Sequence, residues 1–101
     1  MRNQEPLKES VIVRKILQYL KTIPACFAWK EHGGMYGTAG IPDIICCMGG
    51  RFFAFEVKNE NGKATKLQEA TIRKIRAAGG IVAVVRSVEE VEDVIGGATD
   101  D

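Results

Sequence analysis

The segment DIICCMGGRFFAFEVK, residues 43–58, constrains the fold more than any other part of the chain. Two apolar runs rich in β-branched and aromatic residues flank Gly49-Gly50. A glycine pair between such runs signals a tight β-hairpin. A turn at Gly49-Gly50 pairs Met48 with Arg51 and, counting outward, sets Asp43 opposite Glu56. Side chains opposed in this way share a face, with Cβ atoms ~4.5–5.5 Å apart. Alternation puts Lys58 on the Glu56 face and turns Phe53, Phe55 and Val57 to the other. Two carboxylates that close repel each other. In an apolar setting they are costly unless something pairs with them.

The rest of the chain supplies partners for this hairpin. Leu7 to Lys21 reads as a helix, with Val13, Ile16, Leu17 and Leu20 on one apolar stripe. Pro24 ends it, and Ala25 to Lys30 is a short apolar strand. EHGGMYGTAGIP, residues 31–42, has loop composition. Its glycines do not form a phosphate-binding loop, because the GxxxxGK[ST] pattern is absent. Thr65 to Ala78 reads as a second helix, opened by a capping box from Thr65 to Gln68 and closed by Gly79-Gly80. IVAVV, residues 81–85, is a buried strand by composition. Ser87 caps a short acidic helix to about Ile95, and the last six residues read as frayed. The order helix, three strands, helix, strand, helix predicts an α/β or α+β sandwich.

With 101 residues, 46% hydrophobic and 27% charged, the chain suits one small globular domain rather than a disordered segment. No apolar run is long enough for a membrane span, and no signal peptide is evident. Cys26, Cys46 and Cys47 are odd in number and include an adjacent pair. That is a poor disulfide framework, and it points to a reducing, cytoplasmic setting. With one histidine, His32, and no CxxC spacing, a cysteine zinc site is disfavoured. Net charge is only +1, but it is unevenly distributed. Residues 87–101 carry six acids and no Lys or Arg, so the preceding residues hold all 14 basic side chains against seven acids. A basic body with an acidic tail is compatible with phosphate binding, as it is with a solvated surface of mixed charge.

Two helical residues add to the hairpin acids. Glu9 lies four residues before Val13, at the start of the apolar stripe. Gln68 lies four before Ile72 and seven before Ile75. Each also has a plainer reading: Glu9 as a first-turn acid favoured by the helix dipole, Gln68 as the capping-box residue alone. Likewise Asp43 could cap a turn, and Glu56 and Lys58 could form a same-face ion pair. Taken together the four polar groups look like a site. Two carboxylates and the Val57 backbone carbonyl would suit a hard cation such as Mg²⁺, and the Lys58 ammonium could act on water and phosphate.

IPD, twelve residues, then EVK resembles the PD-(D/E)xK nuclease motif, with Val57 as x. The runs GTAGIPDII, FFAFEVKNENGKATKLQ and AAGGIVAVVRSVEEVEDVI follow one another much as in stand-alone VRR-NUC domains, the virus-type replication-repair nucleases. The similarity spans roughly residues 7–95 of a single domain covering 1–101. It implies a restriction-endonuclease-like core, αβββαβα, with a mixed sheet flanked by helices. It also implies Mg²⁺- or Mn²⁺-dependent hydrolysis of DNA phosphodiester bonds, with branched DNA or Holliday junctions as candidate substrates. Asp43 and Glu56 would be metal ligands with the Val57 carbonyl, Lys58 the catalytic lysine, and Glu9 and Gln68 further active-site residues. A phage or bacterial source fits the resemblance.

Lys30, His32 and Tyr36, in or beside the glycine-rich loop, are candidate DNA contacts. So are Lys63 and Lys66, in a basic run that continues to Arg76. Trp29 reads as a core or interface residue. A chain this short has a limited core, yet it offers Trp29, Ile44, Phe52, Phe53, Phe55 and two apolar helix faces. With the helices mostly on one side of the sheet, surplus apolar surface predicts a homodimer. The alternative is a monomer whose last helix covers that surface. A non-catalytic nucleic-acid-binding or dimerisation module on the same fold is the competing functional reading, although Asp43, Glu56 and Lys58 are all present.

Overall fold

The computed structural model describes residues 5–32 and 39–99. Its elements are α1 (Glu9–Leu20), β1 (Cys26–Lys30), β2 (Ile44–Met48), β3 (Arg51–Val57), α2 (Lys66–Ala77), β4 (Ile81–Val85) and α3 (Val88–Thr99). The strands form one mixed sheet in the order β1-β2-β3-β4. The first two pairings are antiparallel and β3 runs parallel to β4. This is the expected α/β architecture, αβββαβα with a mixed sheet flanked by helices.

The hairpin register is the expected one. Met48 pairs with Arg51 and Ile44 with Phe55. Gly49 and Gly50 both have positive φ, 58° and 80°, which the two-residue turn requires and which a side chain would oppose. That turn fixes which side chains of β3 face which layer. Phe53, Phe55 and Val57 pack with Ile12, Val13, Ile16 and Leu20 of α1 and with Val91 of α3. Ala54 faces the other way, with Ile45, Val82 and Ile72 of α2. Phe53 and Phe55 are almost wholly buried, each contributing about 1.5–3 kcal/mol relative to an exposed ring.

Two of the three helices therefore lie on one face, and α2 covers part of the other. Ile44, Phe53 and Phe55, counted above as surplus apolar surface, are consumed in the first layer. The large apolar side chains that remain exposed include Phe27, Trp29, Phe52 and Leu67. By register Phe27, Trp29 and Phe52 stand on the α2 face of the sheet. The last helix is longer than its sequence suggests, running to Thr99 through Gly96-Gly97. Val94, Ile95 and Ala98 pack on the core, and Arg51 Nη1 donates to the Ala98 carbonyl at 2.6 Å. This tertiary anchoring outweighs the roughly 1 kcal/mol that each helical glycine costs.

Candidate active site

The site forms where β2 begins and β3 ends. Asp43 immediately precedes β2, and its Oδ2 accepts the Val57 amide at 2.8 Å. In a strand the amide and carbonyl of one residue point the same way, so the Val57 carbonyl is directed to the Asp43 side. On the other side of β3, the Lys58 amide donates to the Val85 carbonyl at 3.1 Å, extending the parallel ladder one residue past Val57. The approach to Asp43 is shaped by Gly40, which has φ of 83°. A Cβ there would stand 2.7 Å from Thr71 Oγ1 and 3.2 Å from the Leu67 carbonyl oxygen.

Glu56 is 2% exposed. Its Oε2 accepts from Gln68 Nε2 at 3.2 Å and lies 3.7 Å from Lys58 Nζ, while its Oε1 has no hydrogen-bond donor. The Glu56 carboxyl is pushed up to about 8, first by burial and then by hydrogen bonding and charge from the adjoining Asp43 carboxyl, with a lesser push from Glu9, against a downward pull from Lys58. A carboxylate oxygen buried without a donor needs either a proton shared with Asp43 or a cation.

Gln68 serves two partners. Its Oε1 accepts the Thr65 backbone amide at 2.9 Å and the Gln68 backbone amide donates to Thr65 Oγ1 at 3.1 Å, completing the capping box of α2. The same side chain then presents its Nε2 to Glu56. Gln68 is thus a capping-box residue but not that alone, because the capped side chain also reaches the acid. Glu9, the first residue of α1, reaches from the opposite layer. Its Oε2 accepts the Asn59 amide at 3.3 Å, one residue past Lys58.

The structure thus brings Asp43, Glu56, Lys58, Gln68 and Glu9 to one end of the sheet. His32, Lys63 and Lys66 are exposed. Lys30 is exposed on the α1 side of β1, pairing in register with Ile44. Tyr36 lies outside the described residues. One contributor was missed in the sequence. Arg86, just past β4, directs Nη1 to the carbonyls of Asn59 and Gly62, the latter at 2.8 Å, and so holds the same turn after Lys58 that Glu9 contacts. Its one sequence signal is its place after a buried strand, and that does not tell which turn the strand abuts.

Among the described residues no three His, Cys, Asp or Glu side chains cluster as a metal site. A cation here would have two carboxylates and would need the Val57 carbonyl, water or phosphate oxygens to complete its shell. The donor set is all oxygen, and the orphaned Glu56 Oε1 lies within it, so the residues fit a hard cation such as Mg²⁺ or Mn²⁺.

No family model and no curated protein matches the sequence, but solved structures match the fold. One, described as a VRR_NUC domain, superposes with a TM-score of 0.73 at 24% identity, covering 87% of this chain and 94% of that one. A second, a VRR_NUC domain protein, gives a TM-score of 0.74 at 21% identity over 91% of this chain and 88% of its own. The resemblance read from the motifs therefore holds in fold: the chain shares the α/β architecture of these VRR_NUC domains. No helix among the described residues is long and apolar enough to cross a membrane.

Proposed function

We propose that this chain is a metal-dependent nuclease that hydrolyses DNA phosphodiester bonds. The observation that carries the reading is Glu56: a buried carboxylate with one orphaned oxygen, beside Asp43 and in contact with Lys58. A carboxylate so placed is unfavourable for stability and finds its reason in a bound cation. Asp43, Glu56 and the Val57 carbonyl would hold Mg²⁺ or Mn²⁺. When bound, the cation would supply positive charge to the phosphodiester and its attacking water.

The chain's own groups divide the remaining work. The Lys58 ammonium faces the Glu56 carboxylate and can orient a water or stabilise charge gathering on phosphate. Gln68 fixes Glu56 by donating to Oε2. Glu9 and Arg86 clamp the Asn59–Gly62 turn, which keeps Lys58 in register.

The site is proposed to act within a homodimer on branched DNA, including four-way junctions. Phe27, Trp29 and Phe52 share one sheet face and remain 70%, 41% and 44% exposed. An aromatic patch of this kind on a small domain favours a second copy. Two-fold symmetry would then set two sites for paired cuts. The test is cleavage of supercoiled, forked and four-way-junction DNA with Mg²⁺, Mn²⁺ or EDTA. Cleavage that requires the metal supports the reading, and inertness toward all three substrates with both metals sinks it.

A further inference from the structure

A groove runs along the side of α1 away from α3, between that helix and the edge strand β1. Arg14 and Lys21 line it from α1, Lys30 from β1, with Val13 and Leu17 also lining it and Ser10 at its end. Its three cations are exposed, and among the described residues none of their side chains forms an ion pair or a hydrogen bond. Among the described residues no acid lines the groove. Both its walls lead to the active site. Ser10 follows Glu9, whose carboxylate holds the Asn59 amide. Lys30 precedes Glu31, whose amide donates to the Asp43 carbonyl at 2.7 Å.

We propose that this groove is a track for the sugar-phosphate backbone of the nucleic acid being cut, carrying it away from Asp43 and Glu56 along α1. From Ser10 to Lys21 the helix advances about 16 Å, and one DNA strand carries a phosphate about every 3.4 Å of helix axis. The track is therefore long enough for several consecutive phosphates, and three unpaired cations match part of that charge. Val13 and Leu17 offer no competing acceptors to the cations, and the other polar lining groups, Ser10 and Gln18, are neutral and can donate to phosphate. Lys30 belongs to both the track and the earlier set of candidate contacts. Arg14 and Lys21 are additions; Glu56 faces α2, so the strand would pass round the end of the sheet from the acid to this groove, which lies on the side opposite the exposed aromatic patch. That leaves the aromatic face free for a second copy.

The inference rests on the nuclease reading, so its test measures binding without cleavage. Fluorescence anisotropy of a labelled DNA junction in EDTA, from 50 to 300 mM KCl, would compare two variants that each remove two charges from α1 and its caps. Arg14→Gln/Lys21→Gln removes the groove cations; Lys8→Gln/Lys15→Gln removes cations that do not line the groove. Circular dichroism melts confirm that both fold. The groove pair should weaken binding about tenfold or more and make the log–log salt slope shallower by nearly 2, from loss of about 0.9 counterion per contact. The other pair should change affinity less than about twofold, with the slope nearly unchanged. Equal effects of the two pairs, no effect of the groove pair, or no DNA binding by the wild type would overturn the track. A wild type that binds through the groove yet never cleaves with Mg²⁺ or Mn²⁺ would overturn the nuclease reading alone.

Discussion

Gln68 Nε2 donates to Glu56 Oε2 across 3.2 Å while the same glutamine closes the capping box of α2. One side chain thus ties the start of a helix to the buried acid of a neighbouring strand. Secondary structure and site are coupled here, because the cap that satisfies the Thr65 amide also orients the donor facing Glu56.

Glu56 makes the metal-free protein sensitive to pH. The carboxyl has an ordinary value of 4.5 in the unfolded chain and is pushed up to about 8 in the folded one. The folded state therefore holds its proton more tightly. The stability this gives is full below about pH 4.5 and is lost as the pH rises through about 8. At the top of that window the loss is on the order of a few kcal/mol. Thermal melts in EDTA should show Tm falling across this range for the wild type and a flatter profile for Glu56→Gln. Parallel profiles would mean that Glu56 is not the titrating group.

Lys58→Ala should separate binding from chemistry. Lys58 Nζ stands beside Glu56 Oε2 but is not itself a ligand. Calorimetry should find Mn²⁺ binding close to that of the wild type, with turnover down roughly 10²–10⁴-fold, the usual weight of a positioned proton-transfer or charge-stabilising group. Lost metal binding with intact chemistry would reverse the assignment.

Gly40→Ala tests how the approach to Asp43 is built. Positive φ and the close Thr71 and Leu67 atoms both oppose a side chain there. The substitution should cost about 1–3 kcal/mol in denaturant unfolding and lower activity by displacing Asp43. A neutral effect on both would show that the loop yields without disturbing the site.

The chain is 11.1 kDa, and sedimentation at micromolar concentration should find about twice that mass. Phe27→Ser/Trp29→Ser should return it to a monomer without unfolding it, since both rings are substantially exposed within one chain. A wild-type monomer that still cuts four-way junctions symmetrically would refute the dimer.

Much of this site was legible in the sequence because it is built on local rules. Gly49-Gly50 sets the hairpin turn, the turn sets the register, and the register sets Asp43 beside the end of β3 and Glu56 on the α2 face. Periodicity put Glu9 and Gln68 on inward-facing helix stripes, although not their partners. What escaped depends on contacts distant in sequence. Arg86 reaches the Asn59–Gly62 turn only because β4 lies parallel to β3. Arg14 and Lys21 meet Lys30 only because α1 packs beside β1. The continuation of α3 past Ile95 hid behind two glycines, whose low helix propensity is overridden by core packing and Arg51.

The most direct measurement of the central claim is cleavage of a four-way junction by wild type, Asp43→Asn and Glu56→Gln with Mg²⁺, Mn²⁺ or EDTA, each protein checked for folding. Wild type should cut with at least one metal and not with EDTA, and each variant should lose at least ~10²-fold of that activity while remaining folded. Undiminished cleavage by either variant, or cleavage by the wild type in EDTA, would contradict a metal-dependent site at Asp43 and Glu56.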